Sequence, residues 1–136
     1  MSNVFKRFHA PTGQEYKDNL AYLNTDLTKY MMNEKHVPKR YLYVYVVPIL
    51  ARMEKVHDQI KKAERIYPDS LELVGIKKDA WQDTIDALND VVEAIQRMIL
   101  VLNSDLNKLD QIGDRINYEF SLLTGMRDGV RLQAPR

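Results

Sequence analysis

The chain has 136 residues, 45% hydrophobic and 29% charged, with a formal net charge of +1; it is long enough to bury one core and too apolar for a disordered chain. It contains no cysteine, which excludes disulfides, thiol nucleophiles and thiolate metal sites. The opening MSNVFKRFHAP has no apolar signal segment, and the longest apolar run, 41–51, is too short to span a bilayer, so the expectation is a soluble protein with no membrane span and no secretory signal peptide.

Residues 1–11 read as a basic N-terminal arm, with Lys6 and Arg7, no acid, and Phe5 and Phe8 interleaved. Residues 12–123 read as the folded domain. Thr12 and Glu15 have the spacing of a capping box just after Pro11. Tyr16, Leu20, Leu23, Leu27 and Tyr30 then follow at steps of four, three, four and three, which predicts one helix with a single apolar stripe, ending near Asn33.

The next segment, KRYLYVYVVPILARMEKVHDQIKK at 39–62, supports two readings. From Ile49 onward, Met53, Val56, Ile60, Ala63 and Tyr67 continue a helical stripe, and the same phase extended backwards lands on Val46 and Leu42. That phase, with Pro38 at a first helical position, favours one helix kinked at Pro48. The rival reading starts the helix at Pro48 and leaves 41–47 extended, because Val and Tyr suit pleated surfaces. After it, YPDS at 67–70 predicts a turn with Asp69 or Ser70 as a helix cap, and Gly75 reads as an interruption.

The rest is heptad-like. Trp81, Ile85, Leu88, Val92, Ile95, Ile99, Leu102, Leu106, Leu109, Gly113, Ile116, Phe120 and Leu123 keep strict register, the signature of coiled-coil packing or a long helix. A turn at 103–105 makes four helices with bundle proportions. Without that turn the last two fuse into one helix about 65 Å long at 1.5 Å per residue, which then needs another subunit to cover it. The fold class is all-α in either case, an antiparallel helical bundle, followed by a basic tail at 124–136 bearing Arg127, Arg131 and Arg136 against Asp128.

Candidate chemistry is sparse. Glu54 and His57 have the Glu-x-x-His spacing of di-iron bundle sites, but one pair does not make such a site, and no metal or cofactor is expected. Asp79, Asp83, Asp86, Asp90 and Glu93 form a carboxylate stripe whose phase is opposite to the apolar positions, so it reads as an outward face, available to a basic partner such as residues 35–65 of a neighbour. Residues 35–65 hold eight Lys and Arg against three acids, and residues 79–119 hold three against nine. Tyr41, Tyr43 and Tyr45 must spread around a helix, which gives an interface candidate. There is no glycine-rich phosphate loop, no Ser-His-Asp arrangement recognisable by sequence and no helix-turn-helix signature, and catalysis is not expected.

Two resemblances attach to these residues. Arg52 and His57, spaced Arg-x4-His, resemble the motif of the HEPN helical ribonucleases, which implies an RNA-cleaving dimer with both residues in a groove. The arm KRFHAP, the bundle stripes and the tail RDGVRLQAPR resemble, in architecture, the helical-bundle coat proteins of archaeal filamentous and spindle-shaped viruses. That second resemblance implies a self-assembling structural subunit in a virion or the host cytoplasm. Its partners would be copies of itself and DNA or other nucleic acid. The arginines and lysines of the two arms would meet phosphates. A regulatory adaptor that binds one partner through the acidic stripe is the remaining alternative.

Overall fold

Apolar residues spaced three and four apart carry the whole architecture, and among the described residues every regular element is helical. The computed structural model describes residues 13–102 and 106–136. Helix α1 spans Glu15–Met31, α2 Val47–Glu64, α3 Leu71–Ile99 and α4 Asn107–Asp128. Helix α2 packs most extensively on α3, α3 on α4, and α4 on α1. Tyr16 of α1 reaches Glu64 of α2 and closes the fourth side. Gln82 near the start of α3 meets Arg127 at the end of α4, while Asp26 and Asn19 of α1 meet Arg115 and Glu119 of α4. Neighbours therefore run antiparallel, up and down around one core.

Leu20, Leu23 and Leu27 of α1, Met53 and Val56 of α2, Leu88, Val91 and Met98 of α3, and Leu123 of α4 are fully enclosed. Each contributes on the order of 1.5–3 kcal/mol by leaving water. Gly13, with φ +76°, turns the chain into α1 in a conformation that disfavours other residues. Gln14 occupies the cap position and makes no side-chain cap bond, and the capping box expected of Thr12 and Glu15 depends on Thr12. Thr12 lies outside the described residues.

Neither reading of 39–62 holds unchanged. Pro38 is extended (φ −54°, ψ 144°) and precedes a 3₁₀ turn, Lys39–Tyr41, rather than opening a helix. A π-helical turn, Leu42–Val46, follows and runs into α2. There is no extended segment at 41–47. Pro48 explains the wide turn: it has no N–H to offer the carbonyl of Val44, and its ring crowds that carbonyl. The chain expands instead, and the Val47 N–H donates five residues back to the Leu42 carbonyl.

Ser70 caps α3 as expected, its hydroxyl accepting from the Leu73 N–H at 3.2 Å. Gly75 does not interrupt: α3 continues through it for 29 residues. Helices α3 and α4 are separate and antiparallel, so the long fused helix is excluded; residues 103–105 themselves lie outside the described residues. The strict heptad is also corrected. Val92, Ile99 and Phe120 are only half-buried and Leu106 is exposed, whereas Ala80, Thr84, Ala87, Val91, Ala94 and Met98 are buried. A straight helix drifts from a seven-residue repeat, and α3 packs against two neighbours, so its buried face is broader than one seam. No helix among the described residues is long and apolar enough to cross a membrane.

Candidate functional site

The tyrosine cluster divides. Tyr41 and Tyr45 are half-buried and meet edge to face at 5.7 Å, with the Arg40 guanidinium 4.7 Å above the Tyr41 ring. Tyr43 stands 81% exposed. Val44 and Val47 are exposed beside it, one helical turn apart on the same outward face. Leu100, just past the end of α3, is 85% exposed. The sequence stripes passed over both valines and Leu100 because they fall between apolar positions whose phase matches the core. Large apolar residues out of phase with a stripe were the available signal.

The basic tail is engaged with its own subunit. Helix α4 continues through 124–128, and Arg127 pairs with Asp128 at 3.0 Å while its guanidinium donates to the Gln82 side-chain oxygen. Arg131 donates to the carbonyls of Asp128 and Val130. Val130 is buried. Beyond it the Gln133 N–H donates to the Pro68 carbonyl at 2.9 Å, the Tyr67 hydroxyl donates to the Ala134 carbonyl, and Arg136 sits 4.1 Å above the Tyr67 ring. Residues 129–136 thus fold over the turn between α2 and α3. Lys6 and Arg7 lie outside the described residues.

A buried polar layer crosses the bundle near the start of α1, and sequence periodicity missed it. Glu119 of α4 is 0% exposed. One of its oxygens accepts from the Asn19 side-chain amide at 3.0 Å, and that amide also donates to the Arg115 carbonyl. The other oxygen is buried and has no hydrogen-bond partner among the described residues. Burial pushes the Glu119 carboxyl up to about 8, against the opposing effect of the Asn19 bond, so near neutral pH the proton is mostly retained. Trp81 Nε1 and Gln59 Oε1 are likewise buried without a partner among the described residues.

Tyr16 connects this layer to the surface. Its ring meets Trp81 edge to face at 5.3 Å, and its hydroxyl donates to Glu64 at 2.7 Å. Burial, reinforced by the bond to Glu64 and the charges of Glu64 and Glu119, holds the phenol well above its ordinary range. Burial pulls the Glu64 carboxyl up, but hydrogen bonds from Lys17 and Tyr16 and the charges of Lys17 and Lys77 outweigh it, leaving that carboxyl below the usual value. Lys77 donates to the carbonyls of Ala63 and Ile66, satisfying the end of α2, and burial holds its ammonium below the ordinary lysine range, with Glu64 opposing.

The remaining candidates separate in space. Arg52 reaches back to the Pro48 carbonyl at 3.4 Å and lines a groove with Tyr45, Pro48, Ala94 and Arg97. His57, five residues on, is turned by about 140° around the helix. Glu54 is exposed, and among the described residues no group of three or more His, Asp or Glu side chains is placed to hold a metal. Asp79, Asp83, Asp86, Asp90 and Glu93 are all exposed and form the expected outward acidic face of α3. The chain matches no family model, no curated protein and no solved structure.

Proposed function

We propose that the protein is a non-catalytic, self-assembling structural subunit, a coat or nucleoprotein building block that associates with nucleic acid in a virion or in the host cytoplasm. The observation that supports this most directly is the outward apolar face of Tyr43, Val44 and Val47. Single exposed apolar residues are ordinary on a protein surface, but three large ones on one turn favour burial against another surface. A second copy of the chain is a consistent occupant. The exposed acidic face of α3 and the basic stretch 35–65 give each subunit complementary charge with which to orient a neighbour. The architectural resemblance to bundle-type viral coat proteins points the same way.

The test is native mass. Nuclease-treated wild-type protein, measured by light scattering over a concentration series, should form species larger than one chain. Tyr43→Ser/Val44→Ser/Val47→Ser should shift these to the single-chain mass with unchanged helix content, because all three positions are exposed. A wild-type protein that stays monomeric at every concentration overturns the reading.

A further inference from the structure

The end of the bundle opposite the docked tail carries two adjoining clefts. One, of about 290 Å³, lies between the end of α1 and the start of α4, with Lys29 and Lys108 on its walls. The second, of about 190 Å³, lies between the connection following α1 and the end of α3, with Lys35, Arg40 and Tyr41 on its walls. His36 lines both, so the two form one continuous surface.

That surface is held in shape. The His36 ring stacks on buried Tyr30, with centroids 4.6 Å apart and planes 7° from parallel. Asn33 fastens the turn beneath it: its carbonyl accepts from the His36 and Val37 N–H groups, and its side-chain oxygen accepts from the Lys35 N–H at 3.0 Å. Arg40 is steadied over Tyr41.

The charge is one-sided. Among the described residues the ion pairs are Lys17–Glu64, Arg115–Asp26 and Arg127–Asp128, and none of these engages Lys29, Lys35, Arg40 or Lys108. Asp26 is the acid on the walls of the clefts, and Arg115 already holds it at 2.7 Å. Glu34 faces a different groove, with Met31 and Met32. Among the described residues, four cations therefore line the clefts with no unengaged carboxylate beside them. Cations spread along two shallow depressions, instead of converging in one pocket, match a chain of phosphates better than a single anion.

We infer that this double cleft is a nucleic-acid binding site, in which Lys29, Lys35, Arg40 and Lys108 track the phosphate backbone of a strand. The inference deepens the assembly reading by naming where nucleic acid meets the subunit. It places that contact on the folded bundle, at the end away from the tail whose arginines its own chain occupies.

The experiment measures binding of fluorescently labelled oligothymidylate to nuclease-treated full-length protein by anisotropy, across a salt series. Each single-strand phosphate contact contributes about −0.7 to the slope of log affinity against log salt. Lys29→Gln/Lys35→Gln/Arg40→Gln/Lys108→Gln should therefore flatten the slope by about 3 and weaken binding at least about tenfold near physiological salt. Arg127→Gln/Arg131→Gln/Arg136→Gln should bind like wild type. Wild-type binding by the cleft variant overturns the inference, as does an equal loss in the tail variant. Native mass, measured without nucleic acid, separates this result from the assembly reading. If the cleft variant loses assembly but keeps its oligonucleotide affinity, the cations belong to a contact with the acidic face of a neighbouring α3, and the inference fails while assembly stands.

Discussion

Asn19 on α1 and Glu119 on α4 are joined by a 3.0 Å hydrogen bond inside the bundle, a hundred residues apart in sequence. Both are buried, Glu119 completely. An ionised carboxylate there would leave one oxygen bare in a low-dielectric interior. The bond therefore fixes the α1–α4 seam while the carboxyl keeps its proton, and the seam becomes costly when the proton leaves.

The pH dependence follows from that cost. The Glu119 pKa rises from 4.5 in the unfolded chain to about 8 in the fold. A raised pKa contributes stability that is fully present below about 4.5 and is lost as pH climbs through about 8. Tyr16 faces the same layer, but its phenol is held well above its ordinary range. Urea titrations from pH 5 to 9 should show the wild type losing about 3–5 kcal/mol relative to Glu119→Gln. That variant retains Glu64 and Lys77, so the difference isolates Glu119. Parallel profiles for the two proteins would show that the carboxyl does not carry its proton into the fold.

A double-mutant cycle tests whether the pair acts as a unit. Asn19→Leu removes the donor and leaves the carboxyl buried with nothing to bond, at a cost of about 1–3 kcal/mol. Asn19→Leu/Glu119→Leu removes both polar groups and should recover most of that loss. Simple addition of the two single effects in urea melts would mean the two side chains are uncoupled.

What the sequence made legible follows from which interactions are local. The α1 stripe through Leu20, Leu23 and Leu27, the Ser70 cap and the outward carboxylates of α3 depend on spacing within one element, and each lies where the spacing put it. Glu119 was overlooked because the heptad assigns the core to Phe120, its half-buried neighbour, while α4 turns the 109, 112, 116, 119 and 123 positions inward. Asn19 sits three residues after Tyr16 and four before Leu23, so it shares their face; a polar residue in that phase was the signal to follow. The π turn before Pro48 reflects a missing donor that pattern counting does not weigh. The docking of the tail on Tyr67 and Pro68 joins segments far apart in sequence, which no periodicity reports.

Gly75 gives a stability test with a defined sign. It lies within α3, exposed, with no atom near enough to meet an added Cβ within 4 Å. Glycine in a helix interior is less favourable than alanine by about 0.5–1 kcal/mol, mainly through unfolded-state entropy. Gly75→Ala should therefore stabilise the protein by that amount in thermal or urea melts. A destabilised variant would mean that Gly75 interrupts α3, as its place in the sequence suggests.

The tail offers the last prediction. A free, solvated arm could be removed without effect on the fold. Here residues 130–136 bring one buried valine and backbone bonds to Pro68 and Tyr67. The valine alone is worth about 1.5–3 kcal/mol when fully buried, and its loss would also uncover the turn between α2 and α3. Deleting 130–136 should lower the thermal midpoint by about 5–10 °C, with helix content preserved below the transition. Arg136→Gln should cost much less, since an exposed cation over a ring contributes only about 0.5–1 kcal/mol. An unchanged midpoint after the deletion would mean that the tail leaves the bundle in solution, returning Arg131 and Arg136 to the list of groups open to phosphates.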